Sequence, residues 1–387
     1  MKRVLSFVVI LAMVFGFAAF QCSSTEITSA KLYIQQKNMQ KAKESLEKEV
    51  SKNPKSDEGY YLLGYVLGEQ GNIKDMISNF EKSLAISPKF AKDIENSRKY
   101  YWQESFNKGV GMFNKGTKAA NPDSGKVFYD RAIESFNNSI LCEPDSAGTY
   151  KNLAFAYMSA GKKDNAIEPL QKIIKLENSV DAYIMLGELY FEKGNVLLDK
   201  YSTSKDKNDS LNAIKEYGKT ITLLEEGRKV HGDNSDLLMI LSNAYINSNK
   251  LDVAMDAFAS GVKKDPNNKY YRYNYGVLLL GANKFEEAVE QFNKAIEIDP
   301  AYSNASYNLG VTYLKWGTSL REKSIEKNED DKTYLEKFKL ALDPLKKYLE
   351  INKEDFKIWD FLGKVYANLG MTKESQESFD KADQFRK

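Results

Sequence analysis

Beginning at Lys269, the stretch KYYRYNYGVLLLGANKFEEAVEQFNKAIEIDP sets a pattern whose key residues return at intervals of 34 along most of the chain. When each unit is numbered from its first residue, a small side chain stands at place 8, a bulky one at 11, small ones at 20 and 27, and proline at 32. In this stretch they are Gly276, Leu279, Ala288, Ala295 and Pro300. Proline recurs as Pro54, Pro88, Pro144 and Pro266, and the place-8 residue as Ala30, Gly64, Gly109, Ala154, Gly187, Ser242, Gly310 and Gly363, which makes nine units. One such unit cannot bury its own apolar stripe, so units must stack in sequence with contacts that stay local.

The recurring residues have physical roles. Small side chains at places 8, 20 and 27 let helix backbones approach, while Tyr, Leu or Phe at places 4, 7, 11 and 24 fills the space between them. Proline lacks an N–H and clashes with the preceding turn, so it separates one unit from the next.

These types recurring together resemble the signature of the tetratricopeptide repeat. The resemblance implies an all-α solenoid, a right-handed superhelix of about nine helix pairs with a concave inner face. The units fall near 23–56, 57–90, 91–146, 147–179, 180–234, 235–268, 269–302, 303–355 and 356–387, so residues 22–387 form the solenoid. The last unit has Ser375 where alanine is usual.

Three units depart from the period. The step from the place-15 glycine to the small residue at place 20 is normally five, but Gly116 to Ala132, Gly194 to Thr220 and Gly317 to Ala341 are longer by 11, 21 and 19 residues. The additions, near 117–127, 195–214 and 318–337, have helix-like flanks and polar middles at 121–123, 202–210 and 327–331. Both helices are therefore expected to run past the usual turn as antiparallel arms. A further 11 residues between Pro88 and Gly109 predict that the third unit opens with a lengthened helix.

Lys and Arg number 56 against 54 Asp and Glu, a formal charge of +2, which argues against an electrostatic nucleic-acid binder. A single histidine, His231, leaves no paired-histidine metal site, and no glycine-rich phosphate loop ends in Lys-Ser or Lys-Thr. No enzyme and no cofactor are expected. His231 reads as a solvated helix-end side chain, and Cys142 as a small core residue.

At the N-terminus, Lys2 and Arg3 precede an apolar run from Val4 to Phe20, which reads as an export signal over residues 1–21. Cys22 just after it resembles the lipid-modified cysteine of bacterial lipoproteins, although Ala19, Phe20 and Gln21 differ from their usual Leu at −3 and small residue at −1. Cleavage after Gly16-Phe-Ala18 and retention as an anchor helix are the alternatives. The expected location is the periplasm or cell envelope, with a membrane anchor through the N-terminal lipid.

In tetratricopeptide proteins the concave face is the default binding surface. The places that the family directs inward, 2, 5, 9, 12 and 13 of each first helix, carry Tyr61, Tyr65, Phe155, Met158, Phe191, Met239, Tyr270, Tyr273 and Tyr307, with Leu280 and Leu314. Such a lining suits extended or amphipathic segments of protein partners. The alternative is a glycan or peptidoglycan module in which tyrosines stack on sugar rings.

Overall fold

The computed structural model describes residues 24–232 and 234–386. The export segment and the Cys22 lipidation assignment lie outside the described residues. Contacts divide the chain after Glu177 into two compact units. The first holds four helix hairpins: α1 (Thr25–Gln35) with α2 (Met39–Lys52), α3 (Asp57–Glu69) with α4 (Ile73–Ile86), α5 (Ala91–Thr117) with α6 (Pro122–Cys142), and α7 (Ala147–Ser159) with α8 (Ile167–Glu177). The second holds five: α9 (Val180–Ser204) with α10 (Lys207–Val230), α11 (Ser235–Asn247) with α12 (Leu251–Lys264), α13 (Lys269–Gly281) with α14 (Phe285–Ile298), α15 (Ser303–Lys327) with α16 (Thr333–Ile351), and α17 (Phe356–Asn368) with α18 (Thr372–Phe385). Among the described residues there is no strand, and the fold is an all-α repeat stack.

Local chemistry sets the helix ends. Ser56, Asn72, Ser146, Asn234 and Asn268 each accept a backbone N–H of the first turn, which satisfies a donor that the helix itself cannot. In all six short hairpins place 15 is a left-handed residue: Lys37, Gly71, Gly161, Asn249, Asn283 and Gly370, with φ between 55° and 78°. The following amide donates back five residues, as Asn72 N does to Leu67 O at 2.9 Å, and closes the turn.

The nine place-8 residues are all buried. Each place-8 glycine lies under the bulky place-24 side chain of its partner helix. A Cβ built on Gly64 would stand 2.5 Å from Phe80, on Gly109 2.6 Å from Phe136, on Gly276 2.7 Å from Phe292 and on Gly363 2.6 Å from Phe379. Where serine or threonine replaces alanine at place 20, its hydroxyl turns to the carbonyl of that glycine: Ser375 Oγ donates to Gly363 O at 3.0 Å, and Thr220 Oγ1 reaches Gly187 O at 3.5 Å. A buried hydroxyl is thereby given a partner, which is why the polar substitution is tolerated.

The three long hairpins use place 15 differently. Gly116, Gly194 and Gly317 sit inside helices rather than at turns, and the rings of Tyr129, Tyr217 and Phe338 cover them at 2.5, 2.5 and 2.7 Å from the built Cβ. Each of these contacts lies seven residues beyond the place-8 contact on the first helix and seven before it on the second. Gly187 meets Leu224 and Gly194 meets Tyr217; likewise Gly310 meets Leu345 and Gly317 meets Phe338. A seven-residue step keeps one seam facing the partner helix, as in antiparallel coiled-coil packing. The left-handed turn of the second and third arms moves to Lys205 and Asn328, eleven residues beyond Gly194 and Gly317 and about three helical turns further on.

The tip of the second arm is tighter than the sequence suggests. Helix α9 continues to Ser204 and α10 starts at Lys207, so helix takes in most of the polar stretch 202–210. Asp206 caps α10 by accepting from Asn208 N at 2.9 Å, and the buried Asp209 carboxylate accepts from Lys200 at 2.9 Å and Ser204 at 3.1 Å. Those bonds offset the cost of a two-residue connection. The lengthened opening helix of the third unit is present as α5, with 27 residues.

Cys142 is fully buried against the core of the first compact unit, and burial pushes its thiol up to about 12. His231 lies at a helix end, capping α10, with its Nε2 2.7 Å from the carbonyl of Asn178.

Candidate functional site

Four tyrosines gather in the second compact unit at the starts of α13 and α15. Asn268 caps α13 by accepting from the amides of Tyr270 and Tyr271 at 3.0 and 3.2 Å, which fixes Lys269 and Tyr270 in the first turn. Tyr302, the residue before α15, meets Tyr273 edge-on at 5.1 Å and Tyr270 edge-on at 6.0 Å. Tyr307, one turn into α15, packs on Tyr348 at 5.4 Å.

These rings differ in depth. Tyr273 packs on Phe292 at 6.0 Å and accepts from Asn308 Nδ2 at 2.9 Å, and its phenol is pushed up to about 12, chiefly by burial. It is a packing residue as much as a lining one. Tyr270 and Tyr302 hold a cation instead: Lys269 Nζ lies 5.1 Å from one ring centroid and 5.2 Å from the other, and 2.5 Å from the Asp299 carboxylate. Tyr302 also lies near Asp236 on α11, and both burial and neighbouring charge raise its phenol.

The other nominated residues distribute as follows. Met239 on α11 is 43% exposed, and α11 packs directly against α13. Phe191 on α9 packs on the fully buried Tyr217 at 5.4 Å, so the arm takes up its face. In the first compact unit, Tyr61 stacks on Phe90 at 4.6 Å, and Tyr61 and Tyr65 both pack against the local core. Phe155 and Met158 are half-buried on α7. The structure thus gathers Tyr270, Tyr273 and Tyr307, with Met239 on a helix that packs against theirs.

Sequence reasoning passed over Tyr302 and Lys269. It counted only inward places of first helices, and these residues stand at place 34 and place 1; the run Lys-Tyr-Tyr opening α13 was the available signal. It also passed over a cleft of about 1040 Å³ between the start of α14, the shaft of α15 and the end of α17. There Trp316 stacks on Phe285 at 6.3 Å, Lys337 Nζ stands 4.1 Å from the Trp316 ring, and Arg321 donates to Asn368 at 2.6 Å. None of the nominated tyrosines lines this cleft. Among the described residues no cluster of three or more His, Cys, Asp or Glu could hold a metal, and no helix is long and apolar enough to cross a membrane.

Comparison with known proteins finds repeats in both compact units. A family described as TPR repeat matches residues 278–317, and families described as tetratricopeptide repeat match 27–55, 57–90 and 356–387, and 152–177. A Drosophila melanogaster protein, a BBSome complex member BBS4 homolog, is 19% identical over 232 residues, 60% of this chain. The chain spans 41% of that protein's length. Similar solved structures include MamA, at 18% identity and TM-score 0.35, covering 47% of this chain and 95% of that one. YrrB, described as a TPR protein with an unusual peptide-binding site, is similar at 22% identity and TM-score 0.31, covering 58% and 96%. With repeat matches in both compact units, the chain belongs to the tetratricopeptide-repeat superfamily.

Proposed function

We propose that the protein is an interaction scaffold of the bacterial cell envelope that docks extended or amphipathic segments of partner proteins on the tyrosine-rich face of its second compact unit. The observation that carries this reading is the gathering of Tyr270, Tyr302 and Tyr307 at the starts of α13 and α15, with the exposed Met239 on α11, which packs against α13. Half-buried tyrosines supply rigid apolar area with a polar end, and methionine supplies an adaptable one, a combination suited to partners without a fixed shape. The envelope assignment rests on Lys2-Arg3, the apolar run to Phe20 and Cys22. An acylated Cys22 at the mature N-terminus, seen by mass spectrometry, is its expected signature.

Photo-crosslinking in intact cells tests the docking face. A benzophenone side chain at Met239 or Asn243, the inward places 5 and 9 of α11, should give discrete protein adducts, whereas one at Val253, 59% exposed on a second helix, should not. Adducts to polysaccharide alone, or equal yields at all three positions, would remove the proposal.

A further inference from the structure

The ammonium of Lys269 occupies a cage of its own chain's making. It lies within 5.2 Å of two ring centroids, Tyr270 and Tyr302, which meet nearly at right angles, and it pairs with Asp299. Two aromatic faces and a carboxylate around one cation is the arrangement by which proteins recognise ammonium groups. Lys269 enters from the first residue of α13, and its side chain keeps 27% of its surface in solvent, as Asp299 keeps 30%. Its departure breaks one partly solvated ion pair, of the kind that contributes little.

A second observation lies on the same face. Glu188 on α9 and Asp236 on α11 stand at the inward places 9 and 2 of their units. The Glu188 carboxyl is raised, first by desolvation and then by the charge of Asp236. Among the described residues no cation pairs with Glu188. A positive group arriving on this face would relieve that repulsion, whereas an acidic one would add to it.

We propose that the Tyr270–Tyr302–Asp299 cage is a subsite for a cationic side chain, a lysine or arginine of the docked segment, and that Lys269 is the resident group which that side chain displaces. The subsite rests on the docking face proposed above and gives its partner a chemical character: basic at one position, apolar around it. Lys269 then sets a threshold, since a segment must outcompete an intramolecular cation and neutral segments gain nothing from displacing it.

The test uses the full chain with 13C-labelled tyrosine rings, titrated with tetramethylammonium and, as a neutral counterpart of similar size, tert-butanol. In Lys269→Ala the ring signals of Tyr270 and Tyr302 should shift saturably with tetramethylammonium, at a half-saturation about tenfold lower than in the unsubstituted protein, and not with tert-butanol. Adding Tyr302→Leu should abolish the response. An unchanged melting temperature of Lys269→Ala certifies its fold; should it melt lower, the same competition read on the unsubstituted protein at high tetramethylammonium decides. No saturable shift in either protein, or an equal response to tert-butanol, overturns the subsite. Crosslinking at Met239 involves no cation, so a failed titration with intact adducts removes the subsite alone, and absent adducts with a positive titration remove the docking face and with it the docked segment, leaving only a cation-binding cage.

Discussion

The ring of Tyr217 lies over Gly194, so close that a Cβ on the glycine would stand 2.5 Å from Tyr217 Cε1. The ring is fully buried and its hydroxyl donates to Asn195 Oδ1 at 2.8 Å. One glycine position thus performs two tasks in this chain: in short hairpins it turns the backbone, and in long ones it seats an aromatic ring. Gly194→Ala must displace Tyr217 and should cost about 1–3 kcal/mol, the range for overpacking. Gly218 on the same arm has nothing within 4 Å of its built Cβ. Gly218→Ala should therefore stabilise by about 0.5–1 kcal/mol through the restricted unfolded chain. Denaturant melts of the two variants check both signs.

The tip of that arm should loosen in acid. Asp209 is held below the ordinary carboxylate range, first by its bond from Lys200 and also by Ser204. A depressed carboxyl contributes stability that is fully present above its unfolded pKa of about 3.9 and is lost as pH falls through the lower folded value. Amide protection factors at 204–210, each rate being referred to the intrinsic rate at its own pH, should therefore be high at neutral pH and fall below about pH 4. In Asp209→Asn the tip should exchange fast already at neutral pH.

Tyr273 and Tyr270 should separate core from rim. Tyr273→Ala removes a half-buried ring packed on Phe292 and bonded to Asn308, and should cost about 3 kcal/mol, the low end for large aromatic truncations. Tyr270→Ala should cost less than half of that. Ultraviolet titration should find Tyr273 still protonated where exposed tyrosines ionise, near pH 10. Its raised value means that its stabilising contribution is intact below about pH 10 and is lost as pH rises toward 12.

Cys142 should be inert in the folded chain. With Cys22→Ser removing the other cysteine, a thiol reagent at pH 8 should label nothing until denaturant is added. Labelling at the rate of a free thiol would contradict its burial.

The repeat was legible because packing enforces it. A small residue at place 8 and a bulky one at place 24 must face each other for backbones to approach, so Gly276 and Phe292 could be placed from spacing alone. The added lengths likewise announced long hairpins, since a helix that overruns its turn still has to return. What the sequence hid was the second use of Gly116, Gly194 and Gly317, because a glycine carries no mark of whether it turns a chain or seats a ring. The candidate site was read less fully. Phe191 was assigned to a lining by its place, but the arm built from the insertion brings Tyr217 against it. Tyr302 and Lys269 lie outside the inward places, and only the junction of α13 and α15 brings them together.

The most direct measurement compares binding and melting in a single variant, Met239→Ala/Tyr270→Ala. Partner capture by the crosslinkable Asn243 derivative should fall at least tenfold in this background while the melting temperature stays within a few degrees of the parent. Undiminished capture would contradict the account, and so would a collapse of stability, which would make these residues part of the core.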